Sequence, residues 1–265
     1  MPALISRHRH FDVVGSTNDV VRGWLADGTP EVCLAVADEQ SAGRGRDGRT
    51  WTAPPRAALL LSLGFRPSWL RPDHLWRLAA ITSLAMAEGG EEGARLPSGT
   101  IALKWPNDLV VETPDGLRKL AGVLGESDGI GTDDPRAVIG IGVNGDWARA
   151  AFPTELADGM TSLAELASGS IDHDALLDGF LARLAPRVDA LRHGQFDGAA
   201  WSERQVTTDR DVDLVGTDGT RTTVTASGVD VDTGALLVDG RSVFVGEITH
   251  VRLTDGERIA ERSGV

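Results

Sequence analysis

Six short apolar runs punctuate the first 145 residues: "VCLAVA" (32–37), "ALLLSLGF" (58–65), "IALKW" (101–105), "DLVVE" (108–112), "KLAGVLGE" (119–126) and "AVIGIGVN" (137–144). Runs of this length, rich in Val, Ile and Leu and bounded by turn residues, predict buried strands. Helical periodicity interrupts them once, in "PDHLWRLAAITSLAMAEG" (72–89), with Pro72 suited to a first turn and Gly89 to a stop. Trp76, Leu78, Ala79, Leu84 and Met86 fall on its apolar side. A second helical stretch, "SIDHDALLDGFLARLAPRVDALRHG", contains Pro186, which should kink it. "NDVVRGWLADG" also has helical spacing, with "STND" as a start signal.

From about Asp211 the texture changes. "DVDLVGTDGTRTTVTASGVDVDTGALLVDGRSVFVGEITHVRL" alternates apolar and polar positions between Asp-Gly, Ser-Gly and Thr-Gly turns. A small all-β unit, most simply a compact barrel, is expected there. The division falls within Arg204 to Arg210, giving a larger domain over 1–207 and a smaller one over 208–265. The pattern predicts α/β alternation followed by an all-β tail.

Composition narrows the class. The 265 residues carry a formal net charge of -13, with 41% hydrophobic and 25% charged positions, as in a globular chain. No segment has the length of a membrane span, and the start has no signal-like apolar core. The single cysteine, Cys33, lies in an apolar run and suits a reducing compartment, so a cytoplasmic location is expected. The acidic balance argues against general nucleic-acid binding, which depends on neutralising phosphates. The six histidines show no metal-ligand spacing, and His8 and His10 read as surface residues.

Against that acidity, "SAGRGRDGRTW" places three arginines and three glycines between Gly43 and Arg49. Glycines let backbone amides approach a ligand, and arginine forks add donors for carboxylate or phosphate. A thin cationic flap over a small anion is one reading; a solvated hairpin tip is the other. Two G-x-G-x-x-G matches, Gly43-Gly45-Gly48 and Gly140-Gly142-Gly145, are not followed by a helix of crossover length, which argues against a dinucleotide fold. Two compact lysine motifs, "KWPND" (Lys104 to Asp108) and "KLAGVLGE" (from Lys119), stand at predicted strand ends, and "TPDGLR" between them reads as a mobile loop.

"GSTND", "EQSAGRGRDGRTW", "KWPNDL", "KLAGVLGE" and "GIGVN", in that order, resemble the biotin protein ligases, from about residue 11 to the end. The resemblance implies a mixed-sheet α+β catalytic domain with packed helices, of the class II synthetase-like biotin/lipoate ligase fold, followed by an SH3-like β-barrel. It implies formation of biotinyl-5′-AMP from biotin and ATP, with Mg²⁺ accompanying ATP, and transfer to one lysine of a biotin carboxyl carrier domain of an acyl-CoA or pyruvate carboxylase. No protein metal site, DNA contact or membrane contact is expected, and a homodimer is possible. "GSTND" begins at Gly15, which leaves no room in this sequence for a preceding DNA-binding domain.

Residue roles follow from the same resemblance. Lys119, Arg44 and Arg46 would neutralise charge between the biotin carboxylate and the α-phosphate, and Asp108 would bind Mg²⁺, assist the acceptor lysine or cap a turn. Ser16, Thr17, Asn18, Gln40, Gly43, Arg44, Lys119 and Gly122 would bind biotin. Arg44, Gly45, Arg46, Trp51, Lys104, Asn107 and Asn144 would bind ATP or the adenylate, with Trp51 covering it once the flap closes. A lid would protect an acyl adenylate from water until the carrier docks. The rivals are a lipoate-protein ligase and an adenylate-binding sensor without transfer activity.

Overall fold

The computed structural model describes residues 4–245 and 248–253. Seven strands form one mixed sheet in the order β1-β2-β3-β7-β6-β5-β4. They are β1 (Arg7–Val14), β2 (Cys33–Gln40), β3 (Ala58–Phe65), β4 (Ile101–Lys104), β5 (Asp108–Thr113), β6 (Gly116–Asp128) and β7 (Arg136–Asn144). All six apolar runs are strands. β1 escaped the apolar pattern because it is the outer edge strand, and its first four residues, Arg-His-Arg-His, are exposed.

β1 and β2 run parallel, joined by α1 (Thr17–Ala26); the other pairings are antiparallel. A parallel pair aligns its carboxyl ends, and Val14 stands beside Gln40. The turn after β1 and the end of β2 therefore open onto the same place. α1 covers one part of its sheet face, burying Val21, Trp24 and Leu25 against Cys33, Ala35 and Val138. The rest of that face, across β6 and β7, is left for a cleft.

The opposite face carries α2 (Trp76–Gly93) and α4 (His173–Arg192), packed on Leu34, Leu61, Ile139 and Ile141. α2 does not stop at Gly89. It continues four residues because Gly89 is a contact point: a Cβ there would lie 3.1 Å from the Phe180 backbone of α4. The missing side chain brings the two helices together and does not end one of them. Leu78, Leu84 and Met86 are buried as expected, whereas Trp76 and Ala79 are half-buried. α4 runs through Pro186 without a break in its helical assignment. "TPDGLR" is the tight hairpin between β5 and β6, with Thr113 paired to Gly116, so the mobile-loop expectation is corrected. Short helices α3 (Leu163–Ala167) and α5 (Gly198–Glu203) complete this layer.

Five further strands form a second sheet, β11-β10-β9-β8-β12: β8 (Arg210–Gly216), β9 (Arg221–Val229), β10 (Leu236–Val238), β11 (Arg241–Val243) and β12 (Ile248–Leu253). The part of the expected small domain after Leu253 lies outside the described residues. The two sheets are tied where the chain passes the edge of β4: Leu103 N donates to Arg204 O, and Val206 N donates to Leu103 O. Beside them the Trp105 indole donates to Gly234 O at 2.9 Å. Beneath this junction Glu91, 5% exposed, accepts from Arg204 and from the amides of Gly99 and Ile101. Among the described residues no helix is long and apolar enough to cross a membrane.

Candidate functional site

About 930 Å³ of open space lies over β6 and β7, between α1 and the second sheet. Of the fifteen residues expected at a site, thirteen line it: Ser16, Thr17, Asn18, Gln40, Arg44, Gly45, Arg46, Trp51, Lys104, Asn107, Asp108, Lys119 and Gly122. Gly43 and Asn144 do not. Gly43 holds the base of the flap, where its carbonyl accepts from Trp51 N. Asn144 is fully buried at the end of β7, and its amide donates to Thr161 O at 2.9 Å.

One end of the cleft is uncharged and polar. Ser16 is the N-cap residue of α1, yet its side chain makes no capping bond and lines the cleft instead. Thr17 N donates to Gln40 Oε1 at 2.7 Å, joining the start of α1 to the end of β2. Asn18 Nδ2 donates to Glu126 Oε2 at 2.5 Å, and Asn18 Oδ1 accepts from Ser62 at 2.5 Å. Asn18 lies directly over Gly140.

The opposite end is cationic. Lys119 Nζ is 2.6 Å from Asp108 Oδ1, with the two side chains 33% and 20% exposed. Lys119 reaches the cleft through a β-bulge. Val110 pairs with Lys119 but the next residue back, Leu109, pairs with Ala121. That one-residue slip turns Lys119 onto the same face as Gly122 and Leu124, while Leu120, Ala121 and Val123 join the core. Lys104 pairs with Asp108 across the β4–β5 hairpin and lines the same wall. Asn107 donates from Nδ2 to Val123 O at 3.0 Å and presents Oδ1 3.5 Å from Arg46.

The Gly-Arg segment folds back over this cleft as a narrow hairpin, with Arg44 bridged to Thr50 and Gly45 N donating to Arg49 O. Its arginines differ. Arg44 grips Asp19 with two bonds of 2.8 and 2.7 Å and approaches Glu126 at 3.4 Å. The Arg44 guanidinium holds the Asp19 carboxyl below its ordinary range, and Arg44 is itself raised. Arg46, only 16% exposed, points inward; burial lowers its pKa, but a guanidinium stays charged. It also donates to Val245 O at 3.3 Å, so the flap touches the segment that follows β11, and Val251 of β12 lines the cleft.

Trp51 closes the floor. Gly122 and Gly142 are cross-strand partners, and the indole lies on both. A Cβ on Gly142 would be 2.6 Å from Trp51 Cε2, and one on Gly122 would be 3.2 Å from Cζ3. Lys119 Nζ stands 5.6 Å from the centre of the same ring.

Sequence reasoning missed Ser62, Glu126, Gly140, Gly142 and Val251. The signal for Gly140 and Gly142 was their spacing of two in a strand, which puts both on one face and leaves a trough. Ser62 was the lone polar residue in "ALLLSLGF". Glu126 ends the "KLAGVLGE" run on β6, where only the position of α1 gives it a partner, and Val251 comes from the second sheet with no local sign.

Known proteins resemble this chain in sequence and in fold. The pattern of the family described as the biotin/lipoate A/B protein ligase family matches residues 10–144. The biotin–[acetyl-CoA-carboxylase] ligase of Mycobacterium tuberculosis is 32% identical over 254 residues, covering 92% of this chain and 90% of that protein. The bifunctional ligase/repressor BirA of Bacillus subtilis is 31% identical over 186 residues, 70% of this chain but only 55% of that protein's length. The fold matches the Aquifex aeolicus biotin protein ligase in complex with biotin and ATP, with a TM-score of 0.74 at 24% identity over 95% of this chain and all of that one.

Proposed function

The chain belongs to the biotin/lipoate A/B protein ligase family, and from that premise we propose that it is an ATP-dependent biotin protein ligase. The observation that carries this reading is the two-ended cleft, with uncharged amides and hydroxyls at one end and Lys119, Arg46 and Lys104 at the other. Biotin has a neutral, hydrogen-bonding ureido ring and a carboxylate at the far end of an apolar chain. The polar end suits the ring, Leu124 and the Trp51 indole suit the chain, and the cations suit the carboxylate beside a phosphate.

In the first step a biotin carboxylate oxygen attacks the α-phosphorus of ATP and pyrophosphate leaves. Two anions must meet, and Lys119 and Arg46 offset their repulsion and the charge that develops. Lys104 and Asn107 hold the nucleotide from the β4–β5 side. Arg44, committed to Asp19 and Glu126, acts by fastening the flap. In the second step a neutral lysine amine of a carrier domain attacks the acyl carbon, AMP leaves and an amide forms. Asp108, 2.6 Å from Lys119, is the carboxylate that would take the amine's proton. Mg²⁺ bound to ATP would neutralise phosphate charge. Asp108 is the cleft carboxylate that would lie nearest such an ion, and phosphates and water would supply the rest of its shell.

The same reading makes residues 208–265 an SH3-like barrel distinct from a catalytic domain over 1–207, the protein cytoplasmic, and the partner a carboxylase carrier domain. DNA contact is absent from it, and a homodimer is compatible with it. The net charge of -13 supports a protein partner over a nucleic acid. The test is mass spectrometry of a purified carrier domain incubated with the protein, biotin, ATP and Mg²⁺. One added biotin on one lysine is expected; an unmodified carrier with every component present overturns the assignment.

A further inference from the structure

We propose that Ser62, buried on β3 and outside the set of ligand-contacting residues, is a positioning residue that makes the polar end of the cleft select a ligand N–H donor. The inference rests on the ligase reading above. It comes from counting hydrogens. Gln40 Oε1, Thr17 Oγ1, Ser62 Oγ and Asn18 Oδ1 form a chain of oxygens with successive separations of 3.0, 2.7 and 2.5 Å. The two amides are oriented by fixed neighbours. Gln40 Oε1 accepts the Thr17 backbone N–H, and Asn18 Nδ2 donates to the Glu126 carboxylate. Both terminal oxygens can therefore only accept, and two hydroxyl protons serve three close approaches. One approach always lacks a hydrogen. Thr17, Asn18 and Ser62 are 3%, 4% and 0% exposed, which makes an unmet contact costly.

An outside donor removes the deficit. With Ser62 donating to Asn18 and Thr17 donating to Ser62, Thr17 Oγ1 and Gln40 Oε1, on two residues that line the cleft, each keep a lone pair for an outside donor. A ligand N–H fits between them, as a ureido N–H does. A dithiolane ring, with no N–H, leaves the shortage in place. Ser62 creates this demand, because it is the acceptor that draws the Thr17 proton away from Gln40. If the Ser62 hydroxyl is removed, the Thr17 proton turns to Gln40 Oε1, the cleft loses an acceptor, and Asn18 Oδ1 loses its donor, a separate cost that the melting temperature reads.

The experiment is biotin-dependent pyrophosphate–ATP exchange by the full chain with biotin and with biotin methylated on a ureido nitrogen. Wild type, Ser62→Ala and Ser62→Thr are compared, with the KM for ATP and the melting temperature of each. The expected result for Ser62→Ala is a KM for biotin raised about tenfold, an unchanged KM for ATP, and a smaller preference for biotin over its methylated form. Ser62→Thr, which keeps a hydroxyl, restores the preference. If Ser62→Ala does not fold, Ser62→Cys supplies the same comparison with a much weaker acceptor of similar shape. A folded variant without the hydroxyl that keeps the wild-type KM for biotin and the wild-type preference overturns the inference. Wild type that shows no exchange with biotin overturns the ligase reading instead, and this inference falls with it.

Discussion

Gly142→Ala should open the Gly-Arg flap. In the structure the added Cβ would lie 2.6 Å from Trp51 Cε2, 2.8 Å from Nε1 and 2.9 Å from Cζ2. Non-bonded carbon atoms rest at about 3.5 Å or more, so the indole must retreat by about 1 Å. The strand cannot give way easily, since Gly142 is paired on both sides, to Leu60 and to Gly122. Overpacking of this kind costs about 1–3 kcal/mol. The flap is a hairpin held to the rest of the chain by few backbone bonds, so most of the strain should go into lifting it. That shifts the open fraction by roughly 5- to 150-fold. Trypsin reads the open fraction, because the flap carries Arg44, Arg46 and Arg49. Initial cleavage rates within the flap should rise by that factor for Gly142→Ala, and by less for Gly122→Ala, whose Cβ would lie 3.2 Å from the ring. In a Trp51→Ala background the Gly142 substitution should add nothing, closing a double-mutant cycle. Equal cleavage of wild type and Gly142→Ala, both folded, would refute the claim that the indole rests on this floor.

Lys119→Met should lower pyrophosphate exchange by about 10²–10³-fold, the scale for losing one charge-stabilising donor, with little change in melting temperature. Glu91→Leu strands Arg204 and two amides at the junction of the sheets and should destabilise the chain by about 3 kcal/mol, read from urea denaturation. Acid should undo the flap's anchor. Arg44 depresses the Asp19 pKa, so the stabilisation is complete above the unfolded carboxylate value of about 4 and is lost as pH falls through the lower folded value. The melting-temperature difference between wild type and Asp19→Asn should be flat above about pH 4, shrink below it and vanish once the pH has passed the lower folded value; a difference that persists in strong acid would contradict the pairing.

Most of the large sheet was legible because its strands are buried and read as unbroken apolar runs. β1 was not, since an edge strand needs no apolar stripe and its pairing with β2 is set by the α1 crossover. The misplaced end of α2 has a comparable cause. Gly89 has the composition of a stop signal, and only the position of Phe180 on another helix shows it to be a packing contact. In the cleft, the motifs carried Ser16 to Asn18, the flap, Asn107, Asp108 and Lys119. They could not show that the β6 bulge turns Lys119 inward, because register belongs to two strands at once. Nor could they separate the arginines of the flap. Whether Arg44 meets a ligand or Asp19 depends on where α1 lies, and the structure places Asp19 within 2.7 Å of it.

The most direct measurement is exchange of labelled pyrophosphate into ATP by the purified protein with Mg²⁺, run with biotin, with lipoate and with neither. The account predicts exchange that requires biotin and is not supported by lipoate. Exchange with lipoate alone would keep the cleft's adenylation chemistry and contradict the assignment of its polar end; no exchange with either would contradict the proposed activity.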